Sequence, residues 1–384
     1  MQGFTFRTTP EILLEEGASA RIGPLMAARG CVRVALVTDS GLRGAGLTRA
    51  AEDGLAAAGL EVVVWEDVVA DPPEEKVLAA VAAARAEGVD GVAGLGGGSP
   101  MDTAKLVAVL LGHDQPLTEC YGIDRVQGRR LPLVLAPTTA GTGSEVTPIA
   151  IVTTGAAEKT GVVAPQLLPD AAVLDPALTT GLPAEVTAAT GIDAMVHAIE
   201  AFTSRHRKNP LSDTLAREAL RRLAANIETA CLEPENVSAR GEMLYGATLA
   251  GMAFANAPVA AVHALAYPLG GHFHVPHGLS NALVLPHVLE YNRAEAEPLY
   301  AELAPLIFPE LKANDPEMRV TGLIDGLAAL GPQLGMTARL SELGISQEHV
   351  PMLAEDAMKQ ERLLVNNPRE MTLEAAKAIY EAAL

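Results

Sequence analysis

The first 140 or so residues alternate between short apolar runs and helix-forming segments, and this alternation restricts the fold more than any other feature. The strand-like runs are VRVALVTD (32–39), EVVVWE (61–66), VDGVAGL (89–95) and LPLVLAPT (131–138). Helical patterns lie between them, at 47–59, at 74–88 and in MDTAKLVAVLLG. Apolar strands separated by helices predict a parallel sheet that is covered on both faces.

The pattern changes near residue 180, after which no convincing strand occurs. Helical segments are predicted from Pro183 onward and near 211–229, 237–255, 258–271, 278–290, 294–305, 316–334 and 370–383. A chain of 384 residues is long enough to bury two separate cores. We therefore predict two domains: an α/β domain at 1–180 and an all-helical domain at 181–384.

Composition limits the partners and the compartment. The net charge of −19, without a Lys/Arg run to offset it, argues against nucleic acid and anionic membranes as partners. The three cysteines match no disulfide or metal motif. The start, MQGFTFRTTPEILLEEG, carries three glutamates, and no run of 18 uncharged apolar residues exists, so we expect a cytoplasmic protein with no membrane partner.

A glycine-rich loop, GLGGGSPMDTAK (94–105), follows the third strand and opens a helix. Its glycines lack side chains, so backbone N–H groups can approach a phosphate at the helix N-terminus. Ser99 is predicted as the N-cap, with Pro100 at the first helical position and Asp102 at the third. The loop predicts a dinucleotide site, with a tight turn that binds no ligand as the alternative.

Two more strand ends carry polar side chains. Asp39, at the end of the first strand, can accept hydrogen bonds from ribose hydroxyls and would repel a 2′-phosphate, which favours NAD over NADP. The hydroxyl-rich segment APTTAGTGSEVT (136–147) follows the fourth strand. Loops at the carboxyl ends of parallel strands form ligand crevices, so both segments are expected to contact the cofactor.

Aspartate and histidine residues of the second half suggest a metal site. In GIDAMVHAIE (191–200), Asp193 and His197 are four residues apart and share one helix face. Spacing alone leaves open which pair from VHALAYPLGGHFHVPHG (262–278) joins them, His263 and His277 or His272 and His274. Three imidazoles and one carboxylate suit Fe, Zn or Co better than Mg or Ca, and beside a dinucleotide they indicate a Lewis-acid role.

Together, GGGSPMDTAK, PTTAGTGSEVT, GIDAMVHAIE and HALAYPLGGHFHVPHGLSNALVLPHVLEYN resemble the iron-containing (group III) alcohol dehydrogenases. Lactaldehyde reductase and 1,3-propanediol dehydrogenase belong to that family. The resemblance runs from about residue 4 to the C-terminus. It implies a Rossmann-like dinucleotide-binding domain followed by a helical metal-binding domain, an architecture shared with dehydroquinate synthase, with the active site in the cleft between them.

The resemblance also implies roles for individual residues. One divalent metal, Fe²⁺ with Zn²⁺ as the alternative, would be held by Asp193, His197, His263 and His277. This assignment leaves His272 and His274 outside the ligand set. The residues that match the NAD contacts of the family are Asp39, Asp71, Gly97, Gly98, Ser99, Asp102, Thr138, Thr139, Thr142, Lys159 and Leu178.

The chain departs from most of the family at Tyr267, where a second histidine is usual four residues after the first ligand of this stretch. Tyrosine can donate and accept one hydrogen bond, but its ordinary pKa is about 10, against about 6.5 for histidine. Tyr267 and His272 are the candidates for a proton relay. The Tyr267-Pro268 pair also resembles the hydroxyacid–oxoacid transhydrogenases, although their long insertion is missing here.

We therefore expect an oxidoreductase that transfers a hydride between NAD(H) and a small primary alcohol or diol, or its aldehyde. The alternatives are a 4-hydroxybutyrate-type dehydrogenase or transhydrogenase, a dehydroquinate synthase-like lyase, and a non-enzymatic nucleotide or metal sensor. The resemblance further implies a homodimer joined through N-terminal strands, or a larger homo-oligomer.

Overall fold

A computed structural model describes residues 3–155 and 158–384. The described residues form two compact units, one spanning Thr8–Thr180 and the other Gly181–Leu384 together with residues 3–7. The first unit contains the strands of the described residues, and the second is helical. The predicted fold class, a parallel-sheet domain followed by a helical domain, is confirmed.

The strands of the described residues, in chain order, are β1 (Ile12–Leu14), β2 (Arg33–Val37), β3 (Glu61–Trp65), β4 (Gly91–Gly96), β5 (Gly122–Ile123), β6 (Leu133–Pro137), β7 (Ile149–Thr154), β8 (Glu158–Val163) and β9 (Ala171–Leu174). The α-helices of the first unit are α1 (Ile22–Ala28), α2 (Ser40–Gly44), α3 (Arg49–Ala57), α4 (Glu74–Ala86), α5 (Gly98–Gly112) and α6 (Leu117–Cys120). Short 3₁₀ turns lie at Ala18–Arg21, Ser144–Val146, Pro165–Leu167 and Pro176–Thr179.

The main sheet has six strands in the order β1-β9-β6-β4-β2-β3, and every neighbouring pair is parallel. If β2, β3, β4, β6 and β9 are numbered 1 to 5, their order in the sheet is the doubly wound order 2-1-3-4-5. Strand β1 is added at the edge beside β9. The winding reverses between β2 and β4, and ligands of open α/β sheets bind at such a switch point, beyond the carboxyl ends of the strands. A small second sheet, β5-β8-β7, contains the antiparallel pair of β7 and β8.

The sheet buries side chains on both of its faces. Along β2, Ala35 and Val37 enter the core on one side, and Val34 and Leu36 enter the core on the other. Successive side chains of a strand point to opposite faces. The helices that connect the strands cover both faces, so these strands carry apolar residues at nearly every position.

The α-helices of the second unit are α7 (Ala184–Thr203), α8 (Pro210–Leu232), α9 (Val237–Asn256), α10 (Ala261–Phe273), α11 (His277–Ile307), α12 (Pro316–Gln333), α13 (Val350–Met358), α14 (Glu361–Leu364) and α15 (Leu373–Ala383). Its 3₁₀ turns lie at Pro309–Ala313, Leu340–Leu343 and Gln347–His349.

The prediction of separate helices at 278–290 and 294–305 was wrong, because both lie within the single helix α11. The buried face of α11 continues across the predicted break, from Leu289 through Asn292 and Ala296 to Tyr300. Packing of this continuous face outweighs the local cost of the prolines inside the helix, which include Pro298.

Within residues 3–155 and 158–384, no single helix has the length and apolar character needed to cross a membrane. The consecutive helices α9 and α10 meet those criteria only as a pair, which is bent by 106°.

Candidate metal centre and cofactor loops

Helix α7 places two ligand-type side chains in an apolar interior. Asp193 and His197 lie one turn apart and are both buried. The His197 ring stacks on Phe254, with ring centroids 4.3 Å apart, and on His263, at 4.7 Å. A buried carboxylate is costly unless it has polar or charged partners, so the surroundings of Asp193 decide whether it is tolerated.

Two further histidines reach the same carboxylate oxygen. The Nε2 atoms of His277, His263 and His197 lie 3.5, 3.7 and 3.9 Å from Asp193 Oδ1. One ligand atom from each of Asp193, His263 and His277 falls within 4.8 Å of the others. Ligands at about 2.1 Å from a tetrahedral metal lie about 3.4 Å apart, so these separations suit a shared cation.

A close backbone contact brings α11 to this site. A Cβ atom added at Gly278 would lie only 2.2 Å from the carbonyl oxygen of Ala189 on α7. The glycine therefore lets the first turn of α11 touch the backbone of α7. This contact holds His277, the preceding residue, on the side of α7 that carries Asp193.

Asn281, one turn after His277, lies among the ligand atoms. Its Nδ2 donates to Asp193 Oδ1 at 2.6 Å and lies 3.4 and 3.3 Å from Nε2 of His263 and of His277. Its Oδ1 is buried and has no hydrogen-bond partner within the described residues. An amide with an orphaned oxygen, in contact with a carboxylate and two imidazoles, fits a site built for a divalent cation.

The electrostatic surroundings of Asp193 favour the charged form of its carboxyl group. Burial by itself raises the pKa of Asp193, but the positive charge that His197, His277 and His263 carry when protonated, together with the amide of Asn281, outweighs it, so the pKa lies below its usual value. The carboxyl is therefore held in its charged form, which is the form that binds metal.

The structure separates the other candidate residues of this stretch. The Tyr267 ring lies beside the ligand cluster, with its centroid 6.0 Å from that of His277. His272 Nε2 lies 2.5 Å from Asp356 Oδ2 on α13, and the His272 side chain is 34% exposed. His274 follows α10 in the left-handed region, at φ 55°. Of the two proton-relay candidates, Tyr267 therefore lies next to a proposed ligand, whereas His272 pairs with Asp356.

In the first unit, the glycine-rich loop departs from the predicted capping. Helix α5 begins at Gly98, its N-cap is Gly97, and no side chain caps it, so the assignment of Ser99 as N-cap was wrong. Glycines at the N-cap and at the first helical position let the helix begin earlier than a serine cap would require. Ser99 lies in the first turn, and its Oγ accepts a hydrogen bond from the backbone N–H of Asp71 at 3.2 Å.

The second loop packs against the first. A Cβ added at Gly98 would lie 3.1 Å from Thr142 Cγ2, so the glycine allows the two loops to approach closely. Asp102 on α5 accepts hydrogen bonds from Ser144 Oγ at 2.6 Å and from the backbone N–H of Ile151 at 2.9 Å. Thr138 is buried directly after β6, and Thr139 faces Gly97.

A fully buried lysine supports this network. Lys105 Nζ donates to Ser144 Oγ at 2.7 Å and to the carbonyl oxygen of Ile149 at 2.6 Å. Burial lowers the pKa of Lys105, while the nearby carboxylates of Asp102 and Glu145 act in the opposite direction. Lys105 therefore links α5 to the hydroxyl-rich segment 136–147 and to the start of β7.

The remaining cofactor candidates also lie at or near strand ends. Asp39 caps α2, since its Oδ1 accepts from the backbone N–H of Leu42 at 2.9 Å. Asp71 adopts the left-handed conformation at φ 50°, and its Oδ1 lies 2.5 Å from Lys159 Nζ on β8. Leu178 is buried in the 3₁₀ turn after β9. The residues after β2, β4 and β6 thus share the carboxyl edge of the parallel sheet.

Sequence reasoning missed the supporting roles of four residues, of which Ser144 was identified only as part of the hydroxyl-rich segment: Lys105, Ser144, Glu200 and Asn281. A signal was available for two of them. Glu200 lies three residues after His197 on an apolar helix, and Asn281 lies four residues after His277, so each shares a helix face with a ligand candidate. A charged or amide side chain on such a face needs a partner.

Comparison with known proteins agrees with this arrangement. Residues 9–176 match the model of the iron-containing alcohol dehydrogenases, and residues 187–384 match that of the C-terminal domain of the Fe-containing alcohol dehydrogenase family. The chain belongs to the iron-containing alcohol dehydrogenase family. It is accordingly an oxidoreductase of the alcohol dehydrogenase type.

Individual family members match over nearly the whole chain. Long-chain-alcohol dehydrogenase 1 of Geobacillus thermodenitrificans is 39% identical over 96% of this chain and 93% of its own length. The 1,3-propanediol dehydrogenase of Klebsiella pneumoniae is 36% identical over 92% of each chain. A crystal structure of 1,3-propanediol oxidoreductase, 34% identical, superposes with a TM-score of 0.96 over 100% of both chains. Sulfoacetaldehyde reductase from Bifidobacterium kashiwanohense, solved in complex with NAD⁺, is 27% identical, with a TM-score of 0.89 over 100% of this chain and 99% of its own.

Proposed function

We propose that this family member catalyses reversible hydride transfer between NAD(H) and a small primary alcohol or diol, or its aldehyde, and that it requires one divalent metal ion. The observation that carries this proposal is the set of imidazole nitrogens at 3.5–3.9 Å from Asp193 Oδ1. Fe²⁺ is the proposed metal and Zn²⁺ the alternative. When bound, the cation supplies Lewis acidity toward an alcohol or carbonyl oxygen, and the nicotinamide supplies the hydride acceptor or donor.

The proposed ligands supply two kinds of metal-binding group, a carboxylate and imidazoles. Asp193 contributes the negative charge, and its low pKa keeps that charge at neutral pH. The imidazoles of His197, His263 and His277 contribute neutral nitrogen donors. Tyr267, beside His277, is proposed to hold or pass the proton that the alcohol loses, and His272 remains the second candidate for that relay.

The two units are proposed to serve as functional domains with boundaries at 1–180 and 181–384. In the first, the polar groups beyond β2, β4 and β6 are proposed to bind NAD, and the N-terminus of α5 favours the pyrophosphate. The NAD⁺ complex of the related sulfoacetaldehyde reductase supports this choice of cofactor. The Asp39 carboxylate would repel a 2′-phosphate, which supports NAD over NADP. The full proposed set is Asp39, Asp71, Gly97, Gly98, Ser99, Asp102, Thr138, Thr139, Thr142, Lys159 and Leu178.

The proposal is tested by metal reconstitution and a substrate panel. The chelated protein, loaded with Fe²⁺ or Zn²⁺ under anaerobic conditions, is assayed for NADH and NADPH formation with short alcohols, 1,2- and 1,3-diols and 4-hydroxybutyrate. The reverse reaction is assayed with their carbonyl partners. We expect NAD-linked activity with an alcohol or diol that disappears on chelation and returns with metal.

Several outcomes would contradict parts of the proposal. Full activity after complete metal removal would refute the metal requirement, and activity with NADP alone would refute the role of Asp39. Activity with 4-hydroxybutyrate in place of alcohols would favour the hydroxyacid alternative. The ligand assignment is tested by His277→Ala, which should lose bound metal, against His206→Ala, an exposed histidine in the loop after α7, which should keep it.

We further propose a cytoplasmic homodimer or larger homo-oligomer joined through the N-terminal strands. Strand β1 forms one edge of the main sheet, and Ile12 and Leu14 on it are 37% and 43% exposed. An edge strand with exposed apolar side chains is suited to pair with another chain. Light scattering of the wild type and of Leu14→Lys tests this, and a monomeric wild type would refute it.

A further inference from the structure

We infer that Glu200 is a positioning residue that fixes the tautomer and the orientation of His263, and that it thereby sets the affinity of the site for its metal. This inference rests on the proposed ligand set. It concerns a residue outside that set, on the side of the His263 ring that faces away from Asp193.

Both carboxylate oxygens of Glu200 are used by the first residues of α10. Oε2 lies 2.7 Å from Nδ1 of His263, and Oε1 accepts the backbone N–H of Val262 at 2.7 Å. Glu200 is 4% exposed and His263 is 2% exposed, so water does not compete for these bonds. The carboxylate therefore holds the His263 ring and the backbone that carries it.

The hydrogen-bonding chemistry selects one tautomer of His263. A carboxylate only accepts hydrogen bonds, so the hydrogen of a neutral imidazole beside it must be on Nδ1. The lone pair is then on Nε2, the atom that lies 3.7 Å from Asp193 Oδ1. That is the form in which a histidine can bind a metal.

One rigid element carries both groups. Asp193 and Glu200 are seven residues apart on α7, which is about two helical turns. Helix α7 thus supplies two of the proposed ligands, Asp193 and His197, and also the support of a third ligand, His263 on α10. A carboxylate that binds the other nitrogen of a ligating histidine commonly raises metal affinity about 10- to 100-fold.

The variant Glu200→Gln tests the inference with almost no change in shape. Glutamine has one acceptor oxygen and one donor amide. It must either lose the bond from Val262 N–H or place an N–H against Nδ1 of His263. The second arrangement puts the hydrogen on Nε2, which then cannot bind metal. Thr203→Val is the matched control. It removes a buried hydroxyl from the same helix, and that hydroxyl donates to backbone carbonyl oxygens of α7.

The readouts are the Zn²⁺ dissociation constant, by competition with a chromophoric chelator, and the visible spectrum of the Co²⁺-loaded protein. We expect Glu200→Gln to weaken Zn²⁺ binding about 10- to 100-fold and to change the Co²⁺ spectrum. Thr203→Val should change neither. Glu200→Asp keeps two acceptors and should bind Zn²⁺ more tightly than Glu200→Gln. Equal Zn²⁺ affinity in Glu200→Gln and wild type would overturn the inference.

Two additional measurements separate the possible failures. If His263→Ala loses Zn²⁺ while Glu200→Gln binds it like the wild type, only the role of Glu200 is refuted. If His263→Ala binds Zn²⁺ like the wild type, the proposed ligand set and this inference fail together. If Glu200→Gln does not fold, the tautomer can be measured in the wild type after chelation of its metal. The ¹⁵N NMR signals of the His263 ring, assigned by comparison with His263→Asn, show which nitrogen carries the hydrogen. A hydrogen on Nε2 instead of Nδ1 would then overturn the inference.

Discussion

At the residue scale, Asp193 illustrates how burial and charge are balanced at this site. An isolated buried carboxylate would take up a proton, but three imidazoles and the amide of Asn281 keep its pKa low. The same residues that make the aspartate tolerable inside a helical core also make it a good cation ligand. Stability and metal binding are therefore coupled at this position.

Tyr267 is the residue whose change should be most informative about catalysis. Tyr267→Phe keeps the ring next to His277 and removes the hydroxyl. If that hydroxyl carries the alcohol proton, we expect kcat to fall about 100-fold or more while bound metal stays the same. Steady-state rates over a range of pH, together with metal analysis, check both expectations.

Tyr267→His provides the companion measurement. The ordinary pKa of histidine is about 6.5, against about 10 for tyrosine, so the pH at which the rate rises should move to lower values. If Tyr267→Phe keeps the wild-type rate and pH profile, Tyr267 has no part in proton transfer.

At the element scale, the contact between α7 and the first turn of α11 sets the position of His277. Gly278→Ala would place a methyl group against the carbonyl of Ala189, where an added Cβ lies at 2.2 Å. Neither backbone can yield without shifting its helix, so we expect a lower melting temperature and weaker Zn²⁺ binding. Thermal unfolding and chelator competition measure these two effects.

Gly270→Ala, on α10, is the control for that variant. A Cβ there meets its nearest neighbour at an ordinary 3.6 Å, so helix propensity should leave stability unchanged or raise it by up to about 1 kcal/mol. If Gly278→Ala behaves like Gly270→Ala, the close contact is not what positions His277.

In the main sheet, Asp170 ties β6 to the segment before β9. Its carboxylate accepts from Arg130 Nη1 at 2.7 Å, from Arg130 Nη2 at 2.9 Å, and from the backbone N–H of Leu133 at 2.8 Å. Burial raises the pKa of Asp170, but these hydrogen bonds and the charge of Arg130 outweigh it, so the pKa is lowered.

A lowered pKa means that Asp170 stabilises the fold above the ordinary aspartate pKa of about 3.9 and loses this contribution as the pH falls through its folded-state pKa. Asp170→Asn should therefore destabilise the first unit by about 1 kcal/mol at pH 7, because the pair is partly exposed to solvent. In urea unfolding, the difference from the wild type should shrink in acid. A difference that is the same at pH 7 and near pH 3 would contradict this reasoning.

At the scale of the whole molecule, each unit has its own compact set of elements. A ligand that binds only the folded form of one unit raises the stability of that unit by RT ln(1 + c/Kd), where c is the ligand concentration, so the gain increases with the logarithm of ligand concentration and affinity. We expect NAD to raise the melting temperature of Thr8–Thr180, and Fe²⁺ or Zn²⁺ to raise that of Gly181–Leu384. Hydrogen exchange followed by peptide mass analysis assigns each gain in protection to a unit.

The matched control for that experiment is the His277→Ala protein. It should respond to NAD in the same way as the wild type and should lose the response to Zn²⁺. A response to Zn²⁺ that is confined to residues of the first unit would contradict the proposed location of the metal.

The sequence by itself determined the fold class, because the alternation of apolar strands and helices is a local property that survives without tertiary information. It also determined which loops follow strands, and hence that Asp39, the glycines and the threonines share one edge of a parallel sheet. The exact helix ends were not determined by the sequence. Ser99 is a residue type that often caps helices, but the neighbouring glycines allow α5 to begin earlier, at Gly98.

Only the tertiary structure decided which distant residues meet. The spacing of four histidines in 262–278 did not distinguish ligands from bystanders, whereas the packing of α10 and α11 on α7 brings His263 and His277 to Asp193 and leaves His272 beside Asp356. The supports Glu200, Asn281 and Lys105 were not identified from the sequence for the same reason. Their partners lie 63, 88 and 39 residues away along the chain, and distance in space is set by packing, which sequence spacing does not contain.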